Sequence, residues 1–483
     1  MKKLVTLLIA TALTIVSLVG CGGGNNGGGG GNNPNNPKGK YNLTIAVQKE
    51  GGEVELMELF KEAYEKKNPD VNIEIKDFKG ALFESYMSKY AMSEKDLPMM
   101  IWMPDDQFDY YAAGGYFVDL RKYYEQDAAT DYSLYYESML HAASYSDEFR
   151  PTTSYTGEFT VAGGKSDSRQ YGVYFAPRDY NQIAIVYNKK LFNNFGIEVP
   201  DTSNGWTFAE YVALIQEIEG KIKAGGNKDL AKRAANLMLP WEPAYTTIFN
   251  ALGSDGLVKD GAYNADSEKN KQICEYLYNE IYCTKQRFDT NNSFTNGTVF
   301  MMTASRPLIK SYADKIKNSD GTPAIDFLPY PAEYVAAGCS GYGITSIHEK
   351  ETQTVNGVTK TVGELAWDFI KFIISEEGQE LSGASGYTQP ILKSLAETGS
   401  WLKAIDENLN HKAFAQGKEL SQTIYNSFDP QSRASLRSIY TTTFGALQDV
   451  NTGAPNLMAK DTFPKYKEMF RKEAKTFDPS KYE

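Results

Sequence analysis

The stretch Gln170 to Leu191, QYGVYFAPRDYNQIAIVYNKKL, decides how the rest of the chain reads. Its first half is aromatic and polar, with Tyr171, Tyr174 and Phe175 followed by Pro177, Arg178, Asp179, Tyr180, Asn181 and Gln182. Its second half, Ile183 to Tyr187, is a β-branched run ending in Asn188-Lys189-Lys190, the pattern of a buried strand bounded by polar punctuation. A helical pattern follows Leu191 and Phe192, and Thr202 to Gly220 reads as a second, cleaner helix. An aromatic, polar loop therefore feeds directly into a core strand. Such a loop holds polar groups on rigid backbone while its rings supply contact area. A plain surface loop before an ordinary strand has the same composition, and the stretch alone leaves both readings open.

Working outward, 483 residues exceed what one hydrophobic core organises, so two domains or lobes are expected. Hydrophobic residues at 41% and charged residues at 23% describe an ordinary globular body. A net charge of −11 argues against nucleic acid as a partner. With 33 Tyr and 24 Phe the chain is rich in flat apolar faces and, through tyrosine, in hydroxyls, a combination suited to sugar rings. Tyrosine also fills sheets and surfaces for other reasons.

The amino terminus carries a local signal. Lys2 and Lys3 precede an uncharged apolar run to Val19, and Leu18-Val19-Gly20-Cys21 follows as a bacterial lipobox pattern. The expectation is a signal peptide over 1–20, cleavage before Cys21 and lipidation of its sulfur. A single membrane-spanning anchor is the rival reading, because the run is near the lower length limit for spanning. Residues 21–40 are rich in Gly, Asn and Pro, cannot bury a core, and read as a flexible tether. Lipid plus tether holds a soluble body at a membrane. Of the remaining cysteines, Cys274 and Cys283 are close enough in sequence to bridge, or each is a buried thiol beside Cys339. His141, His348 and His411 are far apart and read as surface or turn residues, which gives zinc no support.

Leu43–Val47 and Val71–Ile75 read as strands, with helices over Glu53–Lys67 and Phe83–Met92. That alternation predicts a parallel sheet with ligand at the carboxyl ends of its strands. The next strand, Pro98–Met103, delivers Trp102, Asp105 and Asp106 to such an end. The two carboxylates either meet a hydroxyl-rich ligand or cap the next helix. A glycosidase would need two acids flanking a bond, and neighbours at one strand end do not supply that. Further candidates are Trp241 beside Pro240, a ring for the ligand or for the core, and Arg306, a planar donor for hydroxyls or a carboxylate. Tyr342 lies between Gly341 and Gly343, where backbone can approach a ligand closely. Tyr387 and Gln389 precede Pro390, and the tail from Ser421 to Phe477 reads as helices packing on the second lobe.

Several of these pieces, in order, resemble the extracytoplasmic solute-binding proteins of ABC sugar importers. Tyr171-Gly172-Val173-Tyr174, then Ile183–Tyr187, Asn188-Lys189-Lys190 and Leu191-Phe192 resemble that family's crossing from one lobe to the other. Gly196-Ile197, Pro200 and Trp206-Thr207-Phe208-Ala209-Glu210 continue the pattern. So do Gly114–Leu120, Phe294–Met302, Ala337–Ile344, Ala366–Ile373 and Gly386-Tyr387-Thr388-Gln389-Pro390. The resemblance implies a periplasmic-binding-protein-like α/β fold, two α/β lobes joined by hinge crossings with a ligand cleft between. Lobe 1 is expected over 41–180 and 340–410, and lobe 2 over 181–339 and 411–483. It implies ligand contacts at Trp102, Asp105, Asp106, Tyr174, Arg178, Asp179, Tyr180, Asn181, Trp241, Arg306, Tyr342, Tyr387 and Gln389. Gln107 stands where members carry an arginine, and Asn181 where some carry a glutamate, which leaves the sugar open. The expected function is a monomeric, lipid-anchored extracytoplasmic binding protein that captures a carbohydrate, an oligosaccharide by expectation, and delivers it to an ABC permease, with no cofactor and no catalysis. An anchored carbohydrate-active enzyme and a sensor or adhesin on the same fold are the alternatives.

Overall fold

The protein is described from a computed structural model covering residues 39–79, 96–105, 108, 112, 115–146, 171–225, 233–238, 241–256, 258–259, 262–264, 267–280 and 294–420. The expected signal peptide, Cys21, most of the tether, the helix over Phe83–Met92, Asp106, Cys283 and the tail from Ser421 lie outside those residues.

The chain begins with β1 (Tyr41–Gln48), α1 (Glu53–Lys67), β2 (Val71–Phe78) and β3 (Met100–Pro104). It then passes through β4 (Ala176–Pro177) and β5 (Asn181–Gln182) into β6 (Ala184–Asn188), α2 (Lys189–Phe195) and α3 (Phe208–Ala224). There follow β7 (Arg233–Asn236), α4 (Glu242–Ala251), α5 (Glu268–Glu280), β8 (Val299–Ala304), α6 (Arg306–Lys315) and β9 (Ile325–Pro329). The chain returns through β10 (Tyr334–Gly338) and β11 (Ser340–Ile344), turns a hairpin of β12 (Thr352–Val355) and β13 (Val358–Thr361), and continues as α7 (Val362–Ile374) and α8 (Glu376–Ala384). A last described strand is β14 (Lys418–Leu420).

Two sheets carry the two lobes. The first has the order β2-β1-β3-β11-β4, the second β9-β6-β8-β7. The expected parallel arrangement holds for β1, β2 and β3, but β11 runs antiparallel to both β3 and β4. The reason is connectivity: β11 enters from the other lobe and so runs against the strands that belong to a βαβ succession. The second sheet is likewise mixed, with β6 antiparallel to β8 and β9, and β8 parallel to β7. Strand β6 is buried at all five positions, as the β-branched run predicts.

Each lobe has its own core. Ile45, Leu56, Phe60, Met100 and Ile370 belong to one cluster, and Ile185, Phe192, Tyr211, Ile215 and Phe300 to another. Helix α7 adds Leu365, Ala366, Trp367, Phe369, Ile370, Ile373 and Ile374 to the first. The Trp367 ring stacks on Tyr123 at 5.4 Å between centroids and meets Tyr124 edge-on at 4.8 Å.

Helix starts follow side-chain capping. Helix α2 starts at Lys189, because the Asn188 side chain accepts from the amides of Lys190 and Leu191. The helix expected from Thr202 instead starts at Phe208. Asp201 holds the Ser203 amide, the Gly205 amide bonds to Thr202, and Thr207 with Glu210 forms a capping box. A second box joins Thr361 and Glu364 at the start of α7. Thr361→Ala is expected to lower the free energy of unfolding by about 1 kcal/mol in urea titration, because it orphans the Glu364 amide. Val358→Thr, at a residue 56% exposed, should leave it unchanged within error.

Candidate functional site

Two crossings between the lobes run side by side. On the first-lobe side β4 pairs with β11, and on the second-lobe side β5 pairs with β10, so Arg178–Tyr180 and Cys339 lie in the middle of one antiparallel ribbon. The Arg178 amide donates to the Ser340 carbonyl at 2.8 Å, and the Ser340 amide donates to Asp179 Oδ1 at 2.7 Å. Gly341 has no room for a side chain, since a Cβ there would lie 2.0 Å from the Ala176 carbonyl oxygen. Both glycines around Tyr342 are therefore explained by strand approach within the first lobe.

At the centre of the ribbon is a fully buried ion cluster. Arg178 is 1% exposed and forks onto Glu53, Nη1 to Oε2 at 2.6 Å and Nη2 to Oε1 at 2.9 Å. The same guanidinium bonds Asp179 and donates to the Ser340 hydroxyl at 2.8 Å. The Tyr342 hydroxyl accepts from Nη1 at 3.4 Å, and its ring faces the guanidinium at 5.8 Å. Burial opposes charge on Arg178, yet Glu53 and Asp179 outweigh it and hold the group protonated. Burial pushes the Glu53 carboxyl above its ordinary value, with Arg178 pulling it back. Glu53 is the first residue of α1 after Gly52, and nothing in its local sequence pattern marks it; only the fold brings it to Arg178.

Asp105 is tied to the same ribbon, its Oδ2 accepting from the Cys339 amide at 3.1 Å. Trp102 opposes Tyr342 in the sheet register and is 6% exposed. Its indole N–H is directed at Glu53 and favours the ionised carboxylate, but falls short of a full hydrogen bond. Tyr180 stacks on Tyr136, centroids 4.2 Å apart, and its amide donates to the Gln389 carbonyl. The Gln389 side chain is buried with neither Oε1 nor Nε2 partnered among the described residues, and Asn181 Oδ1 is in the same condition. Polar atoms buried in that state cost on the order of 1–3 kcal/mol each.

The remaining candidates lie elsewhere. Tyr174 packs half-buried on the first-lobe core, over Gly172. Trp241 precedes α4 and packs half-buried on the second-lobe core. Tyr387 lies on the first lobe over Gly52, and Lys310 of the second lobe places its ammonium 4.4 Å above the ring. Arg306 is fully buried with no carboxylate on it among the described residues: it donates to His411 Nδ1 at 2.7 Å and to the Trp401 carbonyl at 3.0 Å. Burial pushes its pKa down to about 9, which still leaves it charged at neutral pH. Arginine has no acceptor, so His411 Nδ1 accepts and its Nε2 carries the proton given to the Asp406 carbonyl at 2.8 Å. His411 is thus buried rather than at the surface, and His348 lies in a turn as expected but is also buried, its Nε2 meeting the Leu97 carbonyl at 2.7 Å.

A groove of about 860 Å³ opens on the second lobe along Thr202–Phe208, Pro329–Tyr334 and Gln416–Lys418. Its rings are engaged already. The Trp206 N–H donates to the Pro329 carbonyl, and the Lys418 ammonium covers Tyr334.

Comparison with known proteins agrees with this architecture. The family description "bacterial extracellular solute-binding protein" matches residues 60–407. No protein among those of curated function matches the sequence. A Listeria monocytogenes ABC substrate-binding protein solved with cycloalternan shares the fold at TM-score 0.64 and 16% identity, over 90% of this chain and 99% of that one. The GacH receptor of Streptomyces glaucescens, solved with acarbose, gives 0.62 and 16% over 89% and 99%. Maltose-bound MalE3 of T. maritima gives 0.60 and 14% over 90% and 100%.

Two outcomes are expected from the buried charges. Glu53→Ala leaves Arg178 with one carboxylate and should cost about 3–5 kcal/mol in urea unfolding, whereas Glu53→Gln retains an acceptor and should cost less. Burial first, and Arg306 second, depress the His411 pKa to about 4. The unfolded chain takes that proton near pH ~6.5, so stability should fall as pH drops from there towards 4. His411→Gln should flatten this part of the curve of thermal midpoint against pH.

Proposed function

The chain belongs to the bacterial extracellular solute-binding proteins. From that premise we propose that it captures a neutral carbohydrate at the crossings between its two lobes and delivers it to an ABC permease. The observation that carries this reading is the set of buried, unpartnered polar atoms on Asn181 and Gln389 around the first crossing. Hydroxyls of a saccharide would satisfy an amide carbonyl and a whole carboxamide at once, and a ring such as Trp102 would face a sugar's C–H surface.

A neutral ligand is favoured because Arg178, the arginine at the centre of the crossings, already answers to two carboxylates and is not offered to an acidic sugar. Arg178, Asp179 and Tyr342 act in this reading as the frame of the site, while Trp102, Asn181, Tyr387 and Gln389 meet the ligand. Asp105 is shared between the frame and the cleft, and Asp106, Tyr174, Tyr180, Trp241 and Arg306 are secondary. The carbohydrates bound by the proteins of similar fold accord with this ligand class. Glu53 and Asp179 share one arginine instead of flanking a bond, so binding is favoured over hydrolysis. The Leu-Val-Gly-Cys pattern and the Gly/Asn/Pro tract support a lipid at Cys21 and a tethered, extracytoplasmic body.

The test is a panel of neutral mono- and oligosaccharides, uronates, amino acids and polyamines against protein starting after Cys21, read by thermal shift and tryptophan fluorescence. A neutral glycan should raise the midpoint, and Asn181→Ala or Gln389→Ala should weaken its binding roughly tenfold or more. A response confined to uronates or to amines would overturn the ligand class. Release of sugar during the assay would move the protein to the enzymes.

A further inference from the structure

A third crossing runs from Trp401 to His411, and one of its residues has a backbone that its side chain disfavours. Ile405 has φ +76°, and the Asp406 amide bonds back to the Ala404 carbonyl at 3.0 Å. A bond spanning two residues around a positive φ of that size defines the strained form of the γ-turn. A β-branched residue there is an outlier, since its Cβ crowds the following carbonyl. Such strain persists only where the surroundings impose it.

The surroundings here are anchors on both lobes. Upstream, Ser400 is held by Glu380 of α8 through its amide at 2.8 Å and its hydroxyl at 2.7 Å, and the Trp401 indole donates to the Leu395 carbonyl at 3.0 Å. Downstream, Asn410 is held by β9, its amide donating to Asp326 at 2.8 Å and its carboxamide to the Phe327 carbonyl at 3.2 Å. Arg306 spans the turn, reaching Trp401 on one side and His411 on the other. Ile405 itself packs on the second-lobe core and abuts Gly386 of the first lobe, where a Cβ would come within 2.9 Å of it. Gly386 leads into Tyr387, whose ring receives Lys310 from α6, the helix that carries Arg306.

We propose that Ile405 is a strained hinge in the third crossing and Arg306 the clasp that holds it, so that the backbone at Ile405 sets the balance between the lobe arrangement seen here and one in which the turn has relaxed. The γ-turn disfavours this arrangement, and the Arg306 clasp, with the Lys310–Tyr387 contact, favours it. A ligand that bridges the lobes tips the balance the same way as the clasp. The device rests on the two-lobed fold and not on the identity of the ligand.

The test compares Ile405→Gly with Ile405→Ala in unliganded protein. Both lose the side chain, but only glycine adopts the turn without strain. The readouts are acetylation of Lys310 by an amine-reactive ester, followed by mass spectrometry, and the radius of gyration from small-angle scattering. Relative to Ile405→Ala, Ile405→Gly should slow Lys310 labelling up to roughly tenfold and give the smaller radius. Arg306→Met, which removes the clasp while keeping an apolar stem, should speed labelling and enlarge the radius. Equal labelling and radius in the glycine and alanine variants, or faster labelling in glycine, would overturn the proposal. Circular dichroism of each variant checks that it is folded.

Discussion

The contact between Arg178 and Glu53 is the constraint on which the rest of the molecule depends. One guanidinium, buried in the middle of the ribbon that joins the lobes, ties α1 to the first crossing through Glu53 and to the second through Ser340. An arginine in that place cannot be left alone. The desolvation of its charge has to be offset by good geometry on every side, and the fold supplies two carboxylates, a hydroxyl and a tyrosine face. In consequence the backbones of Arg178–Tyr180 and Cys339–Ser340 are fixed relative to the first sheet. The polar atoms nearby, on Trp102, Asn181 and Gln389, then occupy defined positions instead of sampling many. A binding site gains affinity from that preorganisation, because less ordering remains to be done when a solute arrives.

The two buried arginines solve the same problem differently, and the difference assigns their roles. Arg178 is neutralised by acids and lies between paired strands, a rigid arrangement. Among the described residues Arg306 has a neutral imidazole, a carbonyl and the rings of Trp401 and Phe414 at 5.8 and 5.9 Å. Carbonyl and ring contacts keep the guanidinium tolerable without a counter-charge, but they hold it less firmly than a bidentate carboxylate does. Two crossings are therefore locked to each other, while the third is clasped by a weaker set of bonds over a strained turn. Motion between lobes is easiest to place where bonding is weakest and strain highest.

Some of this was legible in the chain alone. The Ile183–Tyr187 run marks a core strand because β-branched residues without polar interruption have no other stable place. The helix starts were less legible: the pattern from Thr202 reads as helix, and only the structure shows Thr207 capping a start at Phe208. The glycine-flanked Tyr342 marks a close approach. Reading Arg178 as a ligand donor followed from residue type, since an arginine in an aromatic loop is a sound donor until a carboxylate from elsewhere in the fold occupies it. No spacing in the sequence announces that Glu53, 125 residues away, will be that carboxylate.

Read alone, the chain thus settled the periodicities, the two-lobed α/β class and the order of its pieces, since these rest on local chemistry and on lengths of chain. Tertiary structure alone decided which charges neutralise each other, that β11 enters its sheet antiparallel, that His411 is buried and neutral, and that Ile405 is bent against its preference. Those outcomes depend on desolvation and on contacts between residues tens to hundreds of positions apart, which are set only when both lobes have formed.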